Sequence, residues 1–89
     1  MEKKLTILNE EGMHARPAGV LAKTLSAFKS NVEIHFNGNV KNAKSIMAIM
    51  SLGLQKGSEV LFVAQGEDEA QAVETIENLV NNRFQLQGA

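Results

Sequence analysis

Apolar and polar residues alternate along the chain with two different periods, and the changes of period mark out its elements. Val32, Ile34 and Phe36 alternate with Glu33, His35 and Asn37, the pattern of a strand with one apolar and one polar face. Ala18, Leu21, Ala22, Leu25 and Phe28 recur at helical spacing. They predict a helix from about Arg16 to Phe28, with Lys23, Ser26 and Lys29 on its outward face. Leu5 to Leu8 predict a short first strand, followed by Asn9-Glu10-Glu11-Gly12 as a loop. Asn37-Gly38-Asn39 signals a hairpin, from which Val40 to Ala43 return as a third strand. Ser45 suits the N-cap of a short helix from Ile46 to Leu52, ended by Gly53. Val60 to Ala64 are apolar in succession, which puts the strand Glu59 to Gln65 inside a sheet. Asp68 followed by Gln71 has the form of a capping box. Ala72, Val73, Ile76, Leu79 and Val80 then make the buried stripe of a last helix.

The resulting order is βαββαβα. A four-stranded sheet with amphipathic helices on one face buries all of these stripes, giving a two-layer α+β domain. Periodicity does not give the strand order.

Composition narrows what such a domain can do. The 89 residues suffice for one domain, residues 1–89. Hydrophobic residues are 44% of the chain with four Phe and no Trp or Tyr, which supplies an aliphatic core but no platform for stacking bases, and a net charge of −1 lacks the basic footprint of a nucleic-acid binder. The absence of cysteine excludes disulfides and thiolate chemistry. The first residues, Met1 to Leu8, contain no long apolar run, so neither a signal peptide nor membrane insertion is expected, and a cytoplasmic protein is the default. No glycine-rich loop has the spacing of a nucleotide-binding loop, so no cofactor is expected. Only two histidines occur and no carboxylate-rich loop joins them, so no metal site is expected. His35 alternates with core positions and should face solvent.

The chemistry concentrates at Gly12-Met13-His14-Ala15-Arg16-Pro17-Ala18. Pro17 has a fixed helical φ and no N–H to lose, so it suits a first helical turn. His14 then stands at a helix N-terminus beside Arg16, where free N–H groups and the positive dipole end favour an anion, phosphate above all. A neutral imidazole is a nucleophile, and a guanidinium can hold two phosphate oxygens. Read from the residues alone, a packing or capping histidine is the competing possibility. Along the short helix, Ile46, Met47, Ile49 and Met50 cannot all face inward. Either Met47 alone is left outside, or an apolar patch including Val20 and Met47 lies beside His14, and methionine suits a surface meeting several partners.

At Gly12 to Ala18 the sequence resembles the HPr family, the histidine-containing phosphocarriers of the bacterial phosphoenolpyruvate-dependent sugar phosphotransferase system. Asn42 to Gly53 resembles that family's second signature, around its regulatory serine, and Gln65 to Glu69 a third. The likeness covers essentially the whole chain. Met13 stands where Ile or Leu is commoner, and Lys44-Ser45-Ile46-Met47 looks more like the Gram-positive branch than the enteric one.

The resemblance implies an open-faced β-sandwich, with three helices on an antiparallel sheet of order 1-4-2-3. It implies His14 as phosphoryl acceptor through Nδ1, Arg16 as the group that stabilises the phosphate, and Pro17 as the helix start. It implies Ser45 as a target of HPr kinase/phosphorylase, and a partner surface formed by Met13, Val20, Ile46, Met47 and Met50. The implied protein is a stoichiometric carrier rather than an enzyme. It takes phosphate from enzyme I and passes it to the A domain of a sugar-specific enzyme II, while its Ser45-phosphorylated form binds a catabolite-control transcription regulator. Alternatives are a nitrogen-branch phosphocarrier, a purely regulatory paralogue acting through Ser45, and a small peptide- or nucleic-acid-binding module.

Overall fold

The computed structural model describes residues 1–85, so positions 86–89 of the expected domain lie outside the described residues. Among the described residues the order is β1 (Glu2–Thr6), α1 (Ala15–Leu25), β2 (Asn31–Phe36), β3 (Asn39–Asn42), α2 (Ile46–Met50), β4 (Glu59–Gln65) and α3 (Glu69–Asn81). The strands form one antiparallel sheet in the order β1-β4-β2-β3. The architecture is the open α+β sandwich that the resemblance implies.

β4 is an inner strand, and its unbroken apolar run is sorted by the pleat. Val60, Phe62 and Ala64 are buried under the helices, whereas Leu61 and Val63 are half-buried on the uncovered face. The core adds Val32 and Ile34 of β2, Ala18, Leu21, Ala22 and Leu25 of α1, Ile49 of α2, and Ala72, Val73, Ile76 and Val80 of α3. Leu79, expected in that last stripe, is only partly buried against it.

Several boundaries differ from the sequence expectation. β1 runs from Glu2 to Thr6 rather than from Leu5 to Leu8, because its register is set by pairing with β4, Glu2 opposite Val63 through Thr6 opposite Glu59. An edge strand keeps charged residues in water while its backbone pairs, so apolar content marks its position poorly. α1 stops at Leu25 rather than Phe28, and its last turn tightens as Ala27 N donates to Thr24 O at 3.3 Å and Phe28 N to Leu25 O at 3.0 Å. α2 likewise ends at Met50 rather than Leu52, with Leu52 N donating to Ile49 O at 3.2 Å. In the hairpin, Asn37 (φ 50°) and Gly38 (φ 81°) both adopt the left-handed conformation, and Phe36 faces Asn39. This is a two-residue connection of the primed type, so β3 spans Asn39–Asn42 instead of Val40 to Ala43.

The capping box expected at Asp68 and Gln71 does not form, and Asp68 makes no side-chain cap bond to its own helix. Its carboxylate instead accepts from Lys29 N (2.9 Å), Ser30 N (2.9 Å) and Ser30 Oγ, fastening the segment after α1 to the start of α3. The Ser30 hydroxyl, then the Lys29 amide, hold the carboxyl at about 2, down from 3.8. A folded-state value below the unfolded one means that the stabilisation is complete above about pH 4 and is lost as pH falls toward 2. Acid unfolding of Asp68→Asn should therefore show a flatter limb in that window than wild type, measured by circular dichroism against pH.

α3 ends in a Schellman motif with arginine where glycine is usual. Arg83 has φ 55°, its N–H donates to Val80 O at 3.0 Å, and Phe84 N donates to Leu79 O at 2.8 Å. Phe84 turns inward and is fully buried. That leaves its carbonyl directed at the start of α1.

Candidate functional site

The loop between β1 and α1 is built around Asn9 and Gly12. Asn9 is buried, and its Nδ2 donates to Gly12 O (2.5 Å) and to Glu11 Oε1 (3.2 Å). Gly12 N donates back to Asn9 O at 3.1 Å. Gly12 has φ 65°, and a Cβ there would lie 2.5 Å from Leu54 O. That carbonyl is close because it accepts from Met13 N at 3.0 Å. The loop is thus tied to the turn after α2, and the chain enters α1 from a fixed point.

His14 is the N-cap residue of α1, with extended backbone (φ −76°, ψ −175°) and no side-chain capping bond. Its carbonyl accepts from Ala18 N at 2.9 Å, while its imidazole is exposed. The amides of Ala15 and Arg16 lie in the first turn, where no intrahelical carbonyl can reach them, and Pro17 is buried and has no N–H. An exposed, uncommitted imidazole beside free amide donors can attack an electrophilic phosphorus and leave the product accessible to a second protein. A hollow of about 250 Å3 opens beside it, lined by Glu11, Met13, Met50, Gly53, Leu54 and Gln55.

Arg16 follows His14 by two residues, but its guanidinium is already engaged. Nη2 meets Glu11 Oε2 at 2.7 Å and Nη1 donates to Phe84 O at 2.9 Å. The Arg16 hydrogen bond, with a smaller contribution from Asn9, holds the Glu11 carboxyl below the usual carboxylate range. In the sequence Asn9 and Glu11 read only as loop residues, and Phe84 stands out in no pattern. The usable signals were a carboxylate five positions before an arginine, and a lone aromatic just past the last helix.

Ser45 caps α2 as expected, its Oγ accepting from Ala48 N at 3.2 Å. On that helix Ile49 is fully buried, but Ile46 (43%), Met47 (76%) and Met50 (38%) are exposed. The alternative in which only Met47 lies outside therefore fails, because five residues make too short a helix to bury Ile46 and Met50 with Ile49. Val20 and Ile46 border an apolar groove between α1 and α2. Met13, expected on the same surface, is instead part of the core at 5% exposed, where it anchors the loop below His14. His35 lies on the uncovered sheet face with its Nε2 3.1 Å from Glu33 Oε1. Among the described residues no helix is long and apolar enough to cross a membrane.

The chain matches the family model for the phosphorylation site of the phosphotransferase-system component HPr over residues 1–82. It is 39% identical to a crystal structure of an HPr protein from Thermoanaerobacter tengcongensis, covering 94% of each chain with a TM-score of 0.91. With the histidine-containing phosphocarrier protein of Mycoplasma it shares 37% identity over 99% of this chain and 100% of that one, at a TM-score of 0.87. Crh, the catabolite repression protein of Bacillus subtilis, is 37% identical over 94% of this chain and 97% of its own, at a TM-score of 0.76.

Proposed function

The chain belongs to the HPr family of phosphotransferase-system phosphocarriers, and from that premise we propose that it carries a phosphoryl group on Nδ1 of His14. The observation that carries this reading is the exposed His14 imidazole, committed to no cap, at the mouth of α1. Enzyme I, charged by phosphoenolpyruvate, is the donor. The A domain of a sugar-specific enzyme II is the acceptor. Both are proteins, so the histidine must be reachable from outside, and a small apolar surface beside it must tolerate unlike partners. Val20, Ile46, Met47 and Met50 supply that surface. The protein works stoichiometrically in the cytoplasm, with residues 1–89 as one domain, and needs no cofactor. In this reading Arg16 binds phosphate oxygens, and Pro17, the third residue of α1 rather than its first, fixes the opening turn. Incubation with labelled phosphoenolpyruvate and enzyme I should give an acid-labile adduct. Acid-stable label, or none, would overturn the reading.

The likeness to Crh favours a second, regulatory layer at Ser45. A phosphate on this N-cap oxygen would meet the same free amides that the hydroxyl now serves, so the short helix can persist. Its charge would stand beside the exposed Ile46 and Met47, which weakens docking of enzyme I and creates a surface for a catabolite-control transcription regulator. An ATP-dependent HPr kinase/phosphorylase is expected to label wild type but not Ser45→Ala. The lost cap should cost that variant about 0.5–2 kcal/mol in thermal unfolding. Equal labelling of both proteins would remove Ser45 from consideration.

A further inference from the structure

Arg16 already holds an anion before any phosphate arrives. The Glu11 carboxylate meets its Nη2 at 2.7 Å and is itself held from behind by Asn9 Nδ2 at 3.2 Å. Asn9 is buried and also bonded to Gly12 O, so the carboxylate has a second anchor besides Arg16. Glu11 and His14 line the same hollow. The second partner of Arg16, Phe84 O, holds the other end of the guanidinium at 2.9 Å. Arg16 thus sits on a two-point mount, one point neutral and one charged, and the charged one belongs to the residue that shares a hollow with His14.

The geometry points to Glu11 as an internal counter-anion that Arg16 exchanges for the phosphoryl group and takes back on discharge. The inference rests on the carrier reading of His14, and it assigns Glu11 as a positioning residue acting through Arg16. On loading, the Nδ1 lone pair of His14 forms the N–P bond as the donor's bond to phosphorus breaks, and the electron pair of that bond stays with the donor atom. The proton on Nε2 remains where it is. The new oxygens draw Arg16 from Glu11, which stays near because Asn9 holds it. On discharge the N–P electron pair returns to Nδ1, the phosphorus bonds to the acceptor, and Arg16 falls back onto Glu11. The carboxylate is ionised at neutral pH, since Arg16 and Asn9 hold its titration below the usual range. The pair is exposed, with 52% and 41% of the two side chains accessible, so it is weakly held and exchangeable. An arginine with no such competitor would hold the phosphoryl group more firmly and slow its departure.

Two measurements test this with Glu11→Gln, which keeps the Asn9 contact and removes the charge, and with Glu11→Ser as a second variant. First, inorganic phosphate is titrated while the Ala15 and Arg16 amide resonances are followed. Both variants should bind it roughly two- to fivefold more tightly than wild type, and the gain should vanish in an Arg16→Ala background. Equal affinity, or a gain that survives Arg16→Ala, overturns the exchange. Second, after loading by phosphoenolpyruvate and enzyme I, the equilibrium should shift by a similar factor toward the phosphorylated form in the variants. An unchanged or opposite shift also overturns it. If wild type takes up no phosphate from enzyme I, the carrier reading fails by itself, whereas the phosphate titration still reports on Arg16 and Glu11.

Discussion

A protein carrying His14→Ala should take up no acid-labile phosphate from phosphoenolpyruvate and enzyme I, yet unfold within about 0.5 kcal/mol of wild type. The contrast between the two effects is the informative part. An N-cap side chain that bonds to the helix typically contributes about 1 kcal/mol, but the His14 side chain makes no such bond and is exposed. Its removal leaves the backbone of the cap and the Met13 anchor in place. The chemistry, by contrast, has no substitute, because His35, the only other imidazole, sits on the uncovered sheet face beside Glu33. Transfer assays and calorimetry on the same sample check both halves. A variant that loses stability by several kcal/mol would favour a packing histidine over an acceptor.

Gly12→Ala should do the reverse, damaging the fold and the site together. The residue has φ 65°, and a Cβ would meet Leu54 O at 2.5 Å and Gln55 Cα at 2.9 Å, both backbone atoms. Neither can rotate away, so relief requires breaking the Met13 N–H bond to Leu54 O. Left-handed strain and overpacking together should cost about 2–4 kcal/mol, roughly 10–25 °C in melting temperature for a domain of this size. His14 follows within two residues, and a displacement on the order of 1 Å at a reacting group can lower a rate about a hundredfold. Gly38→Ala is the control. Its φ of 81° is also left-handed, but nothing lies within 4 Å of the added methyl, so its cost should be conformational only and its transfer rate unchanged. If the two alanine variants melt alike, the clash with Leu54 is not what fixes the loop.

Much of the architecture was legible because the residues that decide it are near neighbours in sequence. The hairpin rests on Asn37-Gly38 alone, the cap of α2 on Ser45 and Ala48, and the two faces of β4 on simple alternation. The helix mouth was legible for the same reason, since Pro17 marks the first turn of α1 and so places His14 just before it. What escaped local reading depends on contacts between distant parts of the chain. β1 takes its register from β4, so Glu2 and Lys3 become strand while Ile7 and Leu8 do not. Asp68 looked like a cap for its own helix, yet three donors from Lys29 and Ser30 compete for the same oxygens and win. Met13 reads as one of several apolar residues in a docking surface, yet its N–H bonds to Leu54 O and its side chain lies in the core. Arg16 meets Glu11 and Phe84 for reasons that no spacing rule contains.

The sheet leaves one face without helices, and on β1 it is Lys4, paired with Leu61, that looks out from it, whereas neighbouring Lys3 reaches Glu77 of α3. The chain has no sulfhydryl of its own. Lys4→Cys would thus create a unique attachment point for a dye or a solid support on the back of the molecule. Visiting proteins could then be followed by fluorescence or captured on a surface while α1 and α2 remain unobstructed.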